Sequence, residues 1–148
     1  MSKSDTFEND VMLLIFNNTA IANIGDAGGV RASVAAGSLY WALHTADPGE
    51  AGTAVTSETA YTGYARIAKA RASGAGGFTV TGNSVSPAEN IDFGECTAAA
   101  GGAITHASIV NTASGAGKLM WSGTVTPNIT MAVGVIPRLK TTSTITED

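Results

Sequence analysis

The groups in this 148-residue chain best suited to acid–base or metal chemistry are two histidines, His44 and His106, and a carboxylate three residues beyond the first, Asp47. Brought together, they would supply two imidazoles and an oxygen ligand, or a base with an orienting acid. The histidines fall on different predicted strands, so the trio forms only if those strands are neighbours, and the spacing itself does not require it. Isolated strand histidines are mostly part-buried and satisfied by local hydrogen bonds, and that reading is adopted for both. Cys96 lies in a Gly/Ala-rich context without an obvious base, which describes an inert thiol, and a single cysteine cannot form an intrachain bridge. No Gly-x-Ser-x-Gly elbow occurs.

Two glycine-rich stretches fail as phosphate sites. Gly115-Ala116-Gly117-Lys118 has Leu119 where a phosphate loop needs a hydroxyl for magnesium, and Thr112 where it needs its first glycine. Without a following helix there is no dipole for phosphate, so a turn is expected. Gly74-Ala75-Gly76-Gly77 has Thr79 at the third-glycine position of a dinucleotide fingerprint and reads as a hairpin loop. Glu89, Asp92 and Glu95 lack the rhythm of a calcium loop and are expected to guard a solvated strand edge. No catalytic residue, cofactor or metal ligand is therefore assigned.

Charged residues are 14% of the chain, with 8 Lys+Arg against 12 Asp+Glu and a formal net charge of −4. That balance excludes the basic footprint of a nucleic-acid binder. No apolar run approaches the roughly 20 residues of a membrane helix. The first residues carry acidic groups before any apolar run, unlike a secretory signal, so synthesis in a cytosol is expected. A surface so poor in charge suits a protein packed against neighbours. Between Thr97 and Pro137 the only formally charged residue is Lys118, which marks an assembly contact or a Thr/Ser-rich solvated face.

The elements follow from periodicity. Asp5 with Glu8 resembles a capping box, and Phe7, Val11, Leu14 and Ile15 recur at helical spacing, predicting an amphipathic helix over 5–17. Residues 23–37 are rich in Gly, Ala and Ser and read as a flexible connection. Beyond them, strands are predicted at 39–44, 64–71, 78–81, 91–93, 104–111, 119–125 and 133–139, separated by Gly, Ser, Asn or Pro. Trp41 and Trp121 are the expected core anchors. The fold class is mainly β: a β-sandwich or jelly roll with one N-terminal α-helix. Residues 1–36 are expected to form a helix and flexible connection, an arm on a neighbouring subunit or else a lid folded over one end of the chain's own sandwich, and 37–148 the β domain. A three-turn helix is marginal alone, so Phe7, Val11, Leu14 and Ile15 are the candidate assembly contact.

Three phrases carry a family resemblance: Leu39-Tyr40-Trp41-Ala42-Leu43-His44-Thr45-Ala46-Asp47-Pro48-Gly49-Glu50-Ala51-Gly52, Tyr61-Thr62-Gly63-Tyr64-Ala65-Arg66, and Ser114-Gly115-Ala116-Gly117-Lys118-Leu119-Met120-Trp121-Ser122-Gly123. Together they resemble small virion proteins of tailed bacteriophages, often labelled tail fibre proteins. The resemblance implies a structural role and brings no catalytic motif. Size and architecture, without a long shaft or repeats, add the expectation of a capsid decoration (cement) protein on the phage head. It would be a homotrimer that binds the major capsid protein and neither nucleic acid nor membrane. A tail fibre or tail-tip component is the alternative. A small carbohydrate-binding or hydrolytic domain using His44 and Asp47 is a distant third.

Overall fold

The computed structural model describes residues 2–98 and 100–147. Among the described residues the chain is mainly β, as expected, with one helix, α1 (Asp5–Asn17), and nine strands: β1 (Ser38–His44), β2 (Ile67–Ala70), β3 (Phe78–Thr81), β4 (Ser84–Pro87), β5 (Ile91–Asp92), β6 (Ile104–Val110), β7 (Leu119–Ile129), β8 (Arg138–Leu139) and β9 (Ile145–Thr146). They form three sheets, ordered β2-β1-β6-β7, β3-β4-β9 and β5-β8. The chain divides into two compact units, Met1–Ser38 with Lys69–Asn90 and Lys140–Asp148, and Leu39–Ala68 with Ile91–Leu139.

In the first unit α1 has the predicted bounds, but its cap lies one residue earlier. Ser4 is extended (φ −86°, ψ 151°), and its Oγ accepts the Phe7 N–H at 3.4 Å. A serine hydroxyl thus satisfies one orphan donor of the first turn, leaving Asp5 inside the helix, so the Asp5/Glu8 capping box does not form. The helix ends at Asn18, in the left-handed region at φ 54°. Its face toward the β3–β4 hairpin carries Glu8, Met12 and Phe16, all buried, at successive i, i+4 positions. The Phe16 ring meets Phe78 edge to face, with centroids 5.0 Å apart.

The connection after α1 is tied down by hydrogen bonds. Asn18 Nδ2 donates to the Ser33 carbonyl and its Oδ1 accepts the Ser33 N–H, both at 2.9 Å. Arg71 then supplies the donors that the last turn of a helix needs. Its Nε and Nη2 reach the Ile15 and Leu14 carbonyls at 2.6 and 2.7 Å, and its Nη1 reaches the Ala36 carbonyl at 3.1 Å. A cation on these carbonyls also complements the negative end of the helix dipole.

In the second unit β1 is central, flanked by β2 and β6, and is buried on both faces from Trp41 to His44. The β1–β6 ladder is antiparallel, from Tyr40↔Val110 to His44↔His106. One face carries Ala42, packed with Ala54 and Val110 and flanked by Tyr40 and Leu119. Trp41 is buried in the core, whereas Trp121 is only part-buried, because β7 lies at the sheet edge.

Elsewhere the strands depart from the sequence pattern for local reasons. The 133–139 run is strand only at Arg138–Leu139, because Gly134 (φ 86°) turns the chain and bonds back to the Cys96 carbonyl. β4, Ser-Val-Ser-Pro, alternates half-buried and buried residues but over only four positions, and β9 has two residues, too few for a periodic signal. β7 instead runs four residues past its predicted end.

Phe16 should dominate the stability of the first unit. Phe16→Ala removes a fully buried ring and is expected to lose about 3–5 kcal/mol, while Phe7→Ala, at a 40% exposed position, should lose under about 1 kcal/mol by chemical denaturation.

Candidate functional site

The densest set of chemical groups lies in the second unit, where the segment after β1 folds back over Ala42. Thr45 N–H donates to the Ser57 carbonyl at 2.8 Å and Thr59 N–H to the Leu43 carbonyl at 2.9 Å. Ala54 N–H reaches the Gly117 carbonyl at 2.9 Å. This places Glu58 beside Arg66, whose side chain is 2% exposed. The guanidinium grips the carboxylate at both oxygens, Nε to Oε1 and Nη2 to Oε2, each at 2.7 Å. Its remaining donors reach the Thr112 carbonyl at 3.0 Å, Thr112 Oγ1 at 3.1 Å and the Gly115 carbonyl at 2.9 Å.

Tyr64 extends the network. Its hydroxyl donates to Glu58 Oε1 at 2.9 Å and accepts the Leu43 N–H at 3.1 Å. The hydrogen bonds it donates to Glu58 hold the Arg66 guanidinium charged, its pKa raised against the penalty of burial. Burial, more than any neighbour, pushes the Tyr64 phenol well above its ordinary value and that of Tyr61 up to about 12. Both phenols are therefore neutral donors. Tyr61 spends its proton on the Gly94 carbonyl at 2.8 Å. There the chain passes so close that a Cβ on Gly63 would lie 2.0 Å from the Glu95 carbonyl oxygen, and one on Gly94 1.9 Å from that of Gly63. Only glycine fits either position, and Gly63 also has φ 106°.

The structure does bring His44 and His106 opposite one another, but it does not join them with Asp47 into a centre. His44 Nδ1 lies 2.9 Å from the Thr56 carbonyl and Nε2 2.7 Å from Ser108 Oγ. A carbonyl only accepts, so Nδ1 carries the proton and Nε2 accepts from the serine. Desolvation lowers the His44 pKa below its ordinary 6.5, opposed by the Thr56 carbonyl and Glu58, so the ring is neutral. The serine–histidine pair has the spacing of a nucleophile and its base, yet His44 is 0% and Ser108 2% exposed, and no substrate atom reaches them. His106 Nδ1 lies 2.9 Å from Thr105 Oγ1. Asp47 Oδ1 accepts the Gly49 N–H at 2.9 Å and stabilises the turn after β1.

Among the described residues no group of three or more His, Cys, Asp or Glu is placed to hold a metal. Asp92 pairs with Arg138 across β5–β8, and this bond holds its carboxyl below the usual range. Glu89 lies 3.7 Å from Lys69. Gly115–Lys118 is the turn between β6 and β7. An open groove of about 430 Å³ is lined by Asp47, Gly49, Glu50 and the start of β7, from Leu119 to Ser122.

The candidate assembly residues lie beside the buried stripe of α1, not on it. Phe7 is 40% exposed, and Val11, Leu14 and Ile15 are half-buried. Sequence reasoning missed Glu58 and Arg66, because Arg66 is one of three cations, with Lys69 and Arg71, in the predicted strand 64–71 and nothing in that pattern sets it apart. The three phrases that carry the family resemblance meet at this network through Leu43 and His44, Tyr64 and Arg66, and Gly115.

Glu58→Gln strands a buried guanidinium and is expected to cost about 3 kcal/mol, with a coupling energy of about 1–3 kcal/mol to Arg66→Met in a double-mutant cycle read by urea unfolding. A second test is pH. Because the folded-state pKa of His44 is depressed, its contribution is complete above 6.5 and is lost as pH falls toward the folded value, where the unfolded chain binds a proton that the folded chain refuses. Stability should therefore drop between pH 7 and pH 5, and His44→Gln should reduce that drop.

A family model described as podophage GP4 fiber I protein gp80 matches residues 2–146. No curated protein matches the chain. The match spans nearly the whole sequence and agrees with the virion-protein resemblance of its three phrases: the chain belongs to the podophage GP4 fiber I protein gp80 family and is a phage virion structural protein.

Proposed function

We propose that this chain is a non-enzymatic structural subunit of a podophage fibre, and the observation that carries the reading is the family match over residues 2–146. The match favours the tail-fibre alternative over capsid decoration, the reading that small size and a compact β pattern had suggested. The chemistry of the second unit supports a mechanical role. Buried Arg66 and His44 and half-buried Glu58 make their hydrogen bonds to neighbouring side chains and backbone carbonyls.

In this reading the chain works by holding a fixed shape between other virion proteins. The part-exposed flank of α1 formed by Phe7, Val11, Leu14 and Ile15 is a contact for one of them. Gold-labelled antibody against the chain, imaged on purified particles by electron microscopy, should mark the fibres. Label distributed evenly over the head surface would restore the decoration reading and overturn this one.

A further inference from the structure

The segment after β1 is a flap with a closed neck. Thr45 donates to the Ser57 carbonyl twice, from its N–H at 2.8 Å and from Oγ1 at 3.2 Å, and Glu58 bridges back to His44, so the two ends of residues 46–56 lie side by side. Ser57 closes the neck at φ 53°, in the left-handed region that a serine adopts only where its surroundings hold it. Beyond the neck few ties reach the sheet. The Ala54 N–H donates to the Gly117 carbonyl at 2.9 Å, Thr53 bridges Lys118, and the Thr56 carbonyl accepts the His44 Nδ1 proton at 2.9 Å. Pro48 and Ala54 are the only buried residues of the flap, so little apolar area holds it down.

We infer that residues 46–56 lift from the sheet when His44 takes up a proton. The ring is wholly buried, with the flap's Thr56 carbonyl on one nitrogen and Ser108 Oγ, itself out of solvent, donating to the other at 2.7 Å. A proton on Nε2 turns the second bond round, so the Ser108 hydroxyl loses its acceptor and the ring gains a charge that needs water. Water enters where the cover is weakest. β1 and β6 are fixed by their ladder from Tyr40↔Val110 to His44↔His106, whereas the flap can turn about its neck. The charged and titratable groups around the ring are Glu58 beside the neck, its partner Arg66, and His106 on β6; Glu58 favours a charge on His44, while Arg66, His106 and above all desolvation oppose it. Glu58 lies outside the flap, so its grip on Arg66 stays closed as the flap opens. Asp47, Gly49 and Glu50 are the flap's side of the groove against Leu119–Ser122, so lifting dismantles that groove and uncovers Ala42 and Val110. The motion is local, and its failure would leave the fibre assignment standing.

The test is amide exchange by NMR on the full chain, read as protection factors so that the intrinsic pH dependence of exchange drops out. Closure is complete above the ordinary histidine value of 6.5, where both states are neutral, and weakens as pH falls because the lifted state takes the proton first. The Ala54 amide should therefore be less protected than the ladder amides of β1 and β6 at pH 7, and its protection should fall about tenfold by pH 5. The wild type reports through its shifts as well: the Ala54 and Thr56 amides should titrate with the midpoint of the His44 ring. His44→Gln should abolish the fall, and His106→Gln should keep it. Ala54 protection equal to that of the ladder amides, protection constant between pH 7 and pH 5, a ring that titrates without moving the flap amides, or a fall that survives His44→Gln or vanishes in His106→Gln would each overturn the flap. If His44→Gln does not fold, the wild-type exchange and titration decide alone.

Discussion

The second unit depends on one ion pair out of water. Removing the Arg66 guanidinium and the Glu58 carboxylate from solvent carries a penalty of several kcal/mol per ion, which bidentate geometry and full use of the remaining donors must offset. Arg66 meets that condition by bonding Glu58 twice and the carbonyls of Thr112 and Gly115 once each. Those contacts join segments far apart in sequence: the turn that closes over Ala42, the strand approach at Tyr64–Arg66 and the loop entering β7. Two of the segments are irregular, and the side-chain network adds to the backbone hydrogen bonds, such as Thr59 N–H to Leu43 and Ala54 N–H to Gly117, that hold them in place of a ladder.

The same economy appears in the first unit, with neutral partners. Arg71 places its charge on carbonyls at the C-terminal end of α1, and Asn18 clamps Ser33 from both sides. A connection rich in Gly, Ala and Ser, which composition alone reads as loose, is thereby given a defined path. In a chain only 14% charged, two of the few arginines are used internally to order loops.

What the sequence revealed follows from this division of labour. Periodicity located α1 to the residue and several strands closely, because regular elements bury one face at a fixed period. It did not single out the face of α1 that packs within the unit, since Met12 and Phe16 fit the helical period as well as Phe7 and Val11 do, and the position of Phe78 decides between them. It also missed the pairing of Glu58 with Arg66, because seven irregular residues separate the partners and no periodic signal links them. The histidines showed the reverse. Their adjacency across β1 and β6 is real, yet burial and the Thr56 carbonyl turn a candidate base into a structural acceptor.

The central claim is that Arg66 is a permanent clamp in a rigid structural protein, and its own guanidinium protons report this most directly. Measured by NMR hydrogen exchange at neutral pH, the Arg66 Nε–H should persist about as long as the amides of β1 and β6, opening only when the whole unit unfolds. Exchange as fast as that of a solvent-exposed arginine, while those amides stay protected, would contradict the account.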